Sequence, residues 1–217
     1  MTDMWRRIPL VAVLLTGLAA CSSNPEDSRL LKDYFQGADE AEPNAAFVAA
    51  RDANAPTYIG SLQTQENAYT LFARQTTNAK GESTWVSPDN LSLGMVDGMI
   101  IATRGFGDDQ MAGDARQTLA ALKTGQNRIT EHFVTRLDGD NQARTLAFRC
   151  DVAFQKQDAV QLSEAYTANT DLFLETCRNG ETDFVNFFWI ERGSRQIVQS
   201  RQWISDETGA LALRFVK

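Results

Sequence analysis

The sequence predicts a mainly β fold: an antiparallel sheet curled into a barrel or half-barrel, with short N-terminal helices and one interrupting helix. Three observations predict it. From Thr57 onward apolar residues recur with period two. The runs are short and separated by tight turns rich in Asn, Asp, Gly and Pro. After residue 56 there is no internal repeat, low-complexity block or linker, so residues 57–217 read as a single β-barrel-like domain.

The elements follow in order. Residues 21–56 form a helical N-terminal segment. There Pro25, Glu26 and Asp27 suit a helix start, and Leu30, Leu31, Tyr34 and Phe35 share one face up to Gly37. A second short helix starts at Pro43, carries Phe47 and Val48 inward and ends at Pro56. Strands are expected at Tyr58–Thr64, Ala68–Arg74, Thr84–Val86 and Leu91–Met95. Asp97-Gly98 is a hairpin signal, with Met99–Thr103 as the returning strand. A helix capped by Asp114 carries Leu119 and Leu122 inward and stops at Gly125. In Arg128–Leu137 the odd apolar positions Ile129, Phe133 and Leu137 are assigned to the core, and Arg128, Thr130, His132 and Arg136 to solvent. In Thr145–Gln155 the core face is Leu146, Phe148, Cys150, Val152 and Phe154. Asp171–Cys177, Phe184–Glu191, Gln196–Ile204 and Ala210–Val216 complete about ten to twelve strands.

Residues 1–20 read as an address rather than as fold. Arg6 and Arg7 precede the apolar run Ile8–Ala20, which is shorter than the ~20 residues a membrane span needs. The run ends in Leu18-Ala19-Ala20-Cys21, a bacterial lipobox. Cys21 is therefore expected to be acylated, and two or more acyl chains anchor stably where one is marginal. Ser22, following it, permits transfer to the outer membrane. Cys150 and Cys177 remain, an even pair in an exported chain, and are expected to form a disulfide.

Composition narrows the chemistry. The 217 residues carry a net charge of −7 and one His. The acidic balance argues against general nucleic-acid binding, and a single His excludes multi-His metal sites. Phosphate loops and CxxC pairs are absent, and no cofactor or metal is expected. Thr103–Asp109 is the most unusual segment. It reads as a rigid loop presenting Arg104 and Phe106 to a ligand, or as a turn in which Asp108 or Asp109 caps and pairs with Arg104. Asp108, Asp109 and Asp114 are the available carboxylates for cation binding or glycoside cleavage. On an alternating strand Arg201 and Trp203 share a face, an arrangement that suits a sugar or a stacked cation, or a core Trp beside a snorkelling Arg.

The runs Trp85-Val86-Ser87-Pro88-Asp89-Asn90 and Asp97–Asp109, the tail Asn186-Phe187-Phe188-Trp189-Ile190, and Ser200-Arg201-Gln202-Trp203-Ile204-Ser205 together resemble the YjbF/GfcB (YmcC-like) lipoproteins. The lipobox Cys21 belongs to the same pattern, and the resemblance runs from about residue 55 to the C-terminus. It implies an outer-membrane lipoprotein facing the periplasm, with a barrel-like β fold, serving group 4 capsule or related exopolysaccharide production. It also implies a GfcC-type periplasmic partner and a GfcD/YjbH-type outer-membrane partner. No catalytic residue carries over. Arg104, Phe106, Asp108, Arg201 and Trp203 are the candidates for contact with a partner or glycan. Two other readings compete: a half-barrel carrier of a lipid or lipid-linked glycan, which needs an open apolar interior, and a glycan-cleaving enzyme.

Overall fold

The computed structural model describes residues 42–64, 69–137, 139–140 and 142–216. The expected signal peptide, Cys21 and the helix around Leu30–Phe35 lie outside the described residues. Residues 42–217 form one compact unit. It begins with helix α1 (Ala45–Asp52) and strands β1 (Thr57–Leu62), β2 (Thr70–Thr77), β3 (Glu82–Val86), β4 (Ser92–Val96), β5 (Met99–Arg104) and β6 (Ala112–Asp114). Helix α2 (Arg116–Thr124) follows, then β7 (Arg128–Leu137), β8 (Ala143–Gln161) and β9 (Thr167–Arg178). The chain closes with β10 (Asp183–Glu191), β11 (Ile197–Ser205) and β12 (Gly209–Val216).

All twelve strands lie in one antiparallel sheet, in the order β5-β4-β3-β2-β1-β12-β11-β10-β9-β8-β7-β6. Neighbours in sequence are neighbours in space, and β1 pairs with β12. The ring is therefore complete except between β5 and β6, where a nearly closed barrel has its seam. At β4–β5 the Asp97-Gly98 turn has both residues at positive φ, 48° and 88°, as the tight hairpin requires.

Much of the interior is filled. Phe72, Leu93, Met95, Ile204, Leu211 and Leu213 are fully buried in one cluster with Tyr58 and Trp85. A second cluster packs α2, through Ala121 and Leu122, against Phe173, Phe188 and Ile190. Gly60 is there because Phe72 lies over it: a Cβ at residue 60 would fall 2.6 Å from the Phe72 ring. These two clusters fill much of the interior, while a cavity of about 680 Å³ opens at one mouth of the barrel against Tyr58, Trp85, Ile197 and Phe215. Outside the barrel, Phe47 and Ala50 of α1 pack on Ala73 and Val86. Asn44, rather than Pro43, caps this helix by accepting from the amides of Ala46 and Phe47. At α2 the cap position is Ala115. Asp114 sits one residue earlier, accepts from the Arg116 amide and pairs with its guanidinium.

One strand has the opposite face inward from that expected. Ile129 and Leu137 are 51% and 48% exposed, whereas His132 and Arg136 are 6% and 8% exposed and Thr130 is buried. The neighbouring strand decides this. Thr130 pairs with Cys150 and His132 with Phe148, and residues directly opposite in a ladder share a face. Phe148, Cys150 and Val152 fix the core face of β8, so the even positions of β7 must follow it inward; Phe154, expected on that face too, is 43% exposed because the strand bulges beside it. A polar cluster on β9, β10 and α2 makes that tolerable. Glu175, fully buried, accepts from Thr118 Oγ1 at 2.5 Å and Asn186 Nδ2 at 2.7 Å, and lies 3.3 Å from His132 Nδ1. Burial alone would push the Glu175 carboxyl up, but the His132 charge and the hydrogen bonds from His132, Thr118 and Asn186 bring it below the ordinary carboxylate range.

Cys150 and Cys177 stand directly opposite each other on β8 and β9 and form the expected disulfide. Their sulfurs, Glu175 and His132 lie within 4.8 Å of one another, but the sulfurs are bonded to each other and offer no thiolate.

Two outcomes follow from this interior. Cys150→Ser/Cys177→Ser is expected to lose about 3–4 kcal/mol in reversible denaturation, the chain-entropy value for a loop of this length. Reductant should bring the wild type to the same midpoint. For Glu175, a carboxyl whose folded pKa is lowered contributes stability that is present above the ordinary carboxylate range and lost as pH falls through the folded value. Glu175→Gln should therefore lower the urea midpoint at neutral pH, by about 1.5–3 kcal/mol for a charged hydrogen-bond network, and flatten its fall towards acid pH. A variant with an undiminished acid slope would assign that slope to other carboxylates.

Candidate functional site: an outer trough on the sheet

The Thr103–Asp109 segment is organised by its own acids. Asp109 accepts from Thr103 Oγ1 at 2.9 Å and from the amides of Gly105 and Phe106 at 2.8 and 3.2 Å. Gly105 has a φ of 91°, which the turn requires of it. Asp108 pairs with Arg136 at 2.9 Å rather than with Arg104, and the exposed Arg104 guanidinium returns to the Thr103 carbonyl at 2.8 Å. Phe106 lies over Phe72 and packs on the barrel core, while Thr208 Oγ1 donates to its carbonyl at 3.1 Å. The loop thus plugs one end of the barrel beside the seam. Asp108, Asp109 and Asp114 do not converge. Each is held by a different group: Arg136, the loop amides and Arg116.

Arg201 and Trp203 also part company. The β10–β11 ladder stops at Phe187↔Arg201, and two residues on the Trp203 amide donates to the Asn186 side chain at 2.7 Å. Trp203 lies flat on Phe184, with ring centroids 4.4 Å apart, and edge-on to Phe148. The Arg136 guanidinium covers its ring at 4.6 Å. Arg136 commits Nη1 to Asp108, whereas its Nε and Nη2 are buried without a hydrogen-bond partner. Arg201 instead lies over the Phe187 ring at 4.8 Å, on the outside of the sheet. Between them Gln202 points inward and reaches across the barrel to β5. It accepts from the Ile100 amide at 2.9 Å and donates to the Gly98 carbonyl at 2.8 Å. Sequence reading passed over Gln202. Its only signal is a polar residue at a core position of an otherwise alternating strand.

Outside, the sheet carries a trough of about 930 Å³ over β2, β1, β12, β11 and β10. Registers align its residues in two rows. One runs Leu71–Ile59–Arg214–Gln199–Trp189 across five strands. The other runs Ser61–Ala212–Arg201 across three, with Phe187 next in register beyond the lining. Small side chains, Ser61 and Ala212, make the floor low beside the larger residues. Tyr69 stands exposed on one wall with Pro88 and Asp89.

The other wall is built by a bulge. Pairing of β8 with β9 shifts at Phe154/Lys156, inserting Gln155. Beyond it the even positions of β8 turn from the interior to the outside. Val160, Leu162 and Ala168 then close over Val198 and Trp189. Trp189 Nε1 donates to Asp158 at 3.1 Å, and this bond together with one from the Ala159 amide holds the half-buried Asp158 below the ordinary carboxylate range. Tyr166 and Ser194 both donate to Glu191 at the same corner. Of the five candidate contact residues, Arg201 alone lines the trough. Phe106, Asp108 and Trp203 are engaged in plugging and packing the barrel, and Arg104 sits exposed on the plug.

The comparisons with known proteins agree with this architecture. The crystal structure of the hypothetical lipoprotein YmcC from Escherichia coli (K12) superposes with a TM-score of 0.64 at 16% identity, covering 87% of this chain and 94% of that one. At that identity the likeness shows the fold, a nearly closed antiparallel β barrel. None of the curated proteins compared with the chain matches it in sequence. Residues 29–216 match the family described as "Group 4 capsule polysaccharide lipoprotein gfcB, YjbF". That match spans the whole barrel, the plug and the trough, and the chain belongs to the YjbF family of group 4 capsule polysaccharide lipoproteins.

Proposed function

We propose that the chain is an accessory lipoprotein of capsule or exopolysaccharide assembly and export, anchored through Cys21 at the periplasmic face of the outer membrane. It acts there by binding glycan or protein partners, a GfcC-type periplasmic protein and a GfcD/YjbH-type outer-membrane protein among them. The family match over residues 29–216, a capsule lipoprotein family, carries this reading. The lipobox ending at Cys21 and the Ser after it support the anchor and its membrane. The separate engagement of Asp108, Asp109 and Asp114 supports binding rather than glycan cleavage, which needs two carboxyls facing one bond at about 5–10 Å.

The test is surface and cell-associated polysaccharide in a deletion strain, complemented with wild type or with Cys21→Ala. Loss of surface polymer restored only by the lipidated protein is the expected result. Equal rescue by Cys21→Ala would remove the anchor from the mechanism. A deletion with unchanged surface polymer would remove the accessory role itself.

A further inference from the structure

We infer that the outer trough is a saccharide-binding surface for an acidic glycan strand, with Arg201 and Arg214 receiving its carboxylates. This deepens the accessory role proposed above and rests on it.

The first ground is charge. The chain is acidic overall, yet two guanidiniums stand on adjacent strands in this trough. Among the described residues neither has a carboxylate partner. Arg201 is held over the Phe187 ring and its Nε is buried without a hydrogen-bond acceptor. Arg214 donates from Nε to Gln199 Oε1 at 2.6 Å, which fixes the plane of its fork. Planar guanidiniums fixed in this way suit bidentate carboxylate recognition. The carboxylate on the wall, Asp89, accepts from Thr70 Oγ1 at 3.1 Å.

The second ground is shape. The row from Leu71 to Trp189 crosses five strands, about 19 Å at the usual strand spacing, so the trough suits a linear polymer better than a small molecule. Trp189 at one end and Tyr69 at the other put aromatic side chains beside polar ones, the combination that binds sugar faces and hydroxyls.

The third ground separates a glycan from a protein segment. The floor strands β1, β12 and β11 are each paired on both sides. The floor offers side chains and no free strand edge, so an extended peptide could not gain main-chain pairing there. A hydroxyl-rich strand needs none.

The experiment uses the full lipidated protein in detergent. Its probes are the exopolysaccharide of the strain that makes it, depolymerised to short chains, and the same material with its carboxyls reduced to alcohols. Wild type should bind the native material, more weakly as salt rises. Carboxyl reduction should abolish most of that binding. Arg201→Gln and Arg214→Gln should each weaken it about tenfold, the loss expected for a charge-assisted contact. Arg144→Gln, on β8 outside the trough, should not. Because Arg201 and Arg214 are surface residues, unchanged melting of the variants verifies that they fold. Equal affinity for native and reduced material, or no binding by wild type, overturns the inference. If the double variant fails to bind yet restores surface polymer in the deletion strain, the accessory role stands without the trough. If wild type ignores the glycan while the double variant blocks export, the trough serves a protein partner and the glycan assignment falls.

Discussion

A sheet of twelve strands that curls almost into a ring must still dispose of two edges, and the rest of this structure depends on how it does so. β5 and β6 do not pair with each other in a ladder. Instead the Thr103 amide of β5 donates to the Gln110 carbonyl at 2.8 Å, just before β6, while the Met111 amide extends the β6–β7 pairing to Thr135 at 2.8 Å. Further along β5, Gln202 serves the Ile100 amide and the Gly98 carbonyl from across the interior. Unpaired backbone groups in an apolar core cost free energy comparable to a lost hydrogen bond, and an open edge invites pairing with other chains. One glutamine and one folded loop satisfy part of the β5 edge. They also bring together segments far apart in sequence, residues 97–111 and 200–208.

That convergence explains what the most conspicuous motifs are for. Asp109 folds the loop, Phe106 seats it on the core, and Asp108 holds Arg136, which in turn covers Trp203. Gln202 ties the same neighbourhood to β5. The residue types that look most like a ligand site, an Arg–Gly–Phe–Gly–Asp–Asp run and an Arg–Gln–Trp, are mostly occupied in closing the barrel. Arg104 stays exposed on the plug, and Arg201 lies outside the closure. It alternates outward while Gln202 turns in, and β11 leaves β10 just beyond it, so that Trp203 drops onto Phe184. Two residues apart in sequence, Arg201 and Trp203 belong to different parts of the molecule.

Much of the fold was legible because period-two alternation survives wherever one face is apolar. The last strands could be read in this way, while the Asp97-Gly98 dipeptide gave the hairpin and the even cysteine pair of an exported chain gave the disulfide. The orientation of β7 could not be read in this way. Three of its odd positions, Ile129, Phe133 and Leu137, are apolar and four of its even ones, Arg128, Thr130, His132 and Arg136, are polar, so local pattern favours Ile129 and Leu137 for the core although Val134 points the other way. The deciding information lies on β8, through Thr130↔Cys150, and on Glu175, Thr118 and Asn186, which satisfy His132 and Thr130 from elsewhere. β6 was missed because three residues carry no period. The trough was invisible for a related reason. Its rows run across strands, so Leu71, Ile59, Arg214, Gln199 and Trp189 are neighbours through four successive registers, and no stretch of sequence contains them together.

The inside and outside of the barrel therefore do different work. Inside, Glu175 is satisfied by His132, Thr118 and Asn186 and the β5 backbone by Gln202, whereas Arg136 keeps two nitrogens unpartnered over Trp203. Opening the packed part of the barrel would expose the Glu175 network and the β5 edge together. On the exterior, the outer face of a curled sheet becomes concave only where a bend raises a wall. The single extra residue at Gln155 provides one wall, because it turns the apolar face of the β8–β9 hairpin outward to clamp Trp189. The α1 cap supports the other. Asn44 donates from its amide to the Pro88 carbonyl at 3.0 Å and from its side chain to Asn90 at 2.8 Å, steadying the turn that carries Asp89. Both walls are thus set by contacts outside the trough. Arg201 and Arg214 stand on a floor whose backbone is fully committed to the ring, and a rigid floor with placed guanidiniums loses little entropy when it takes up a polymer.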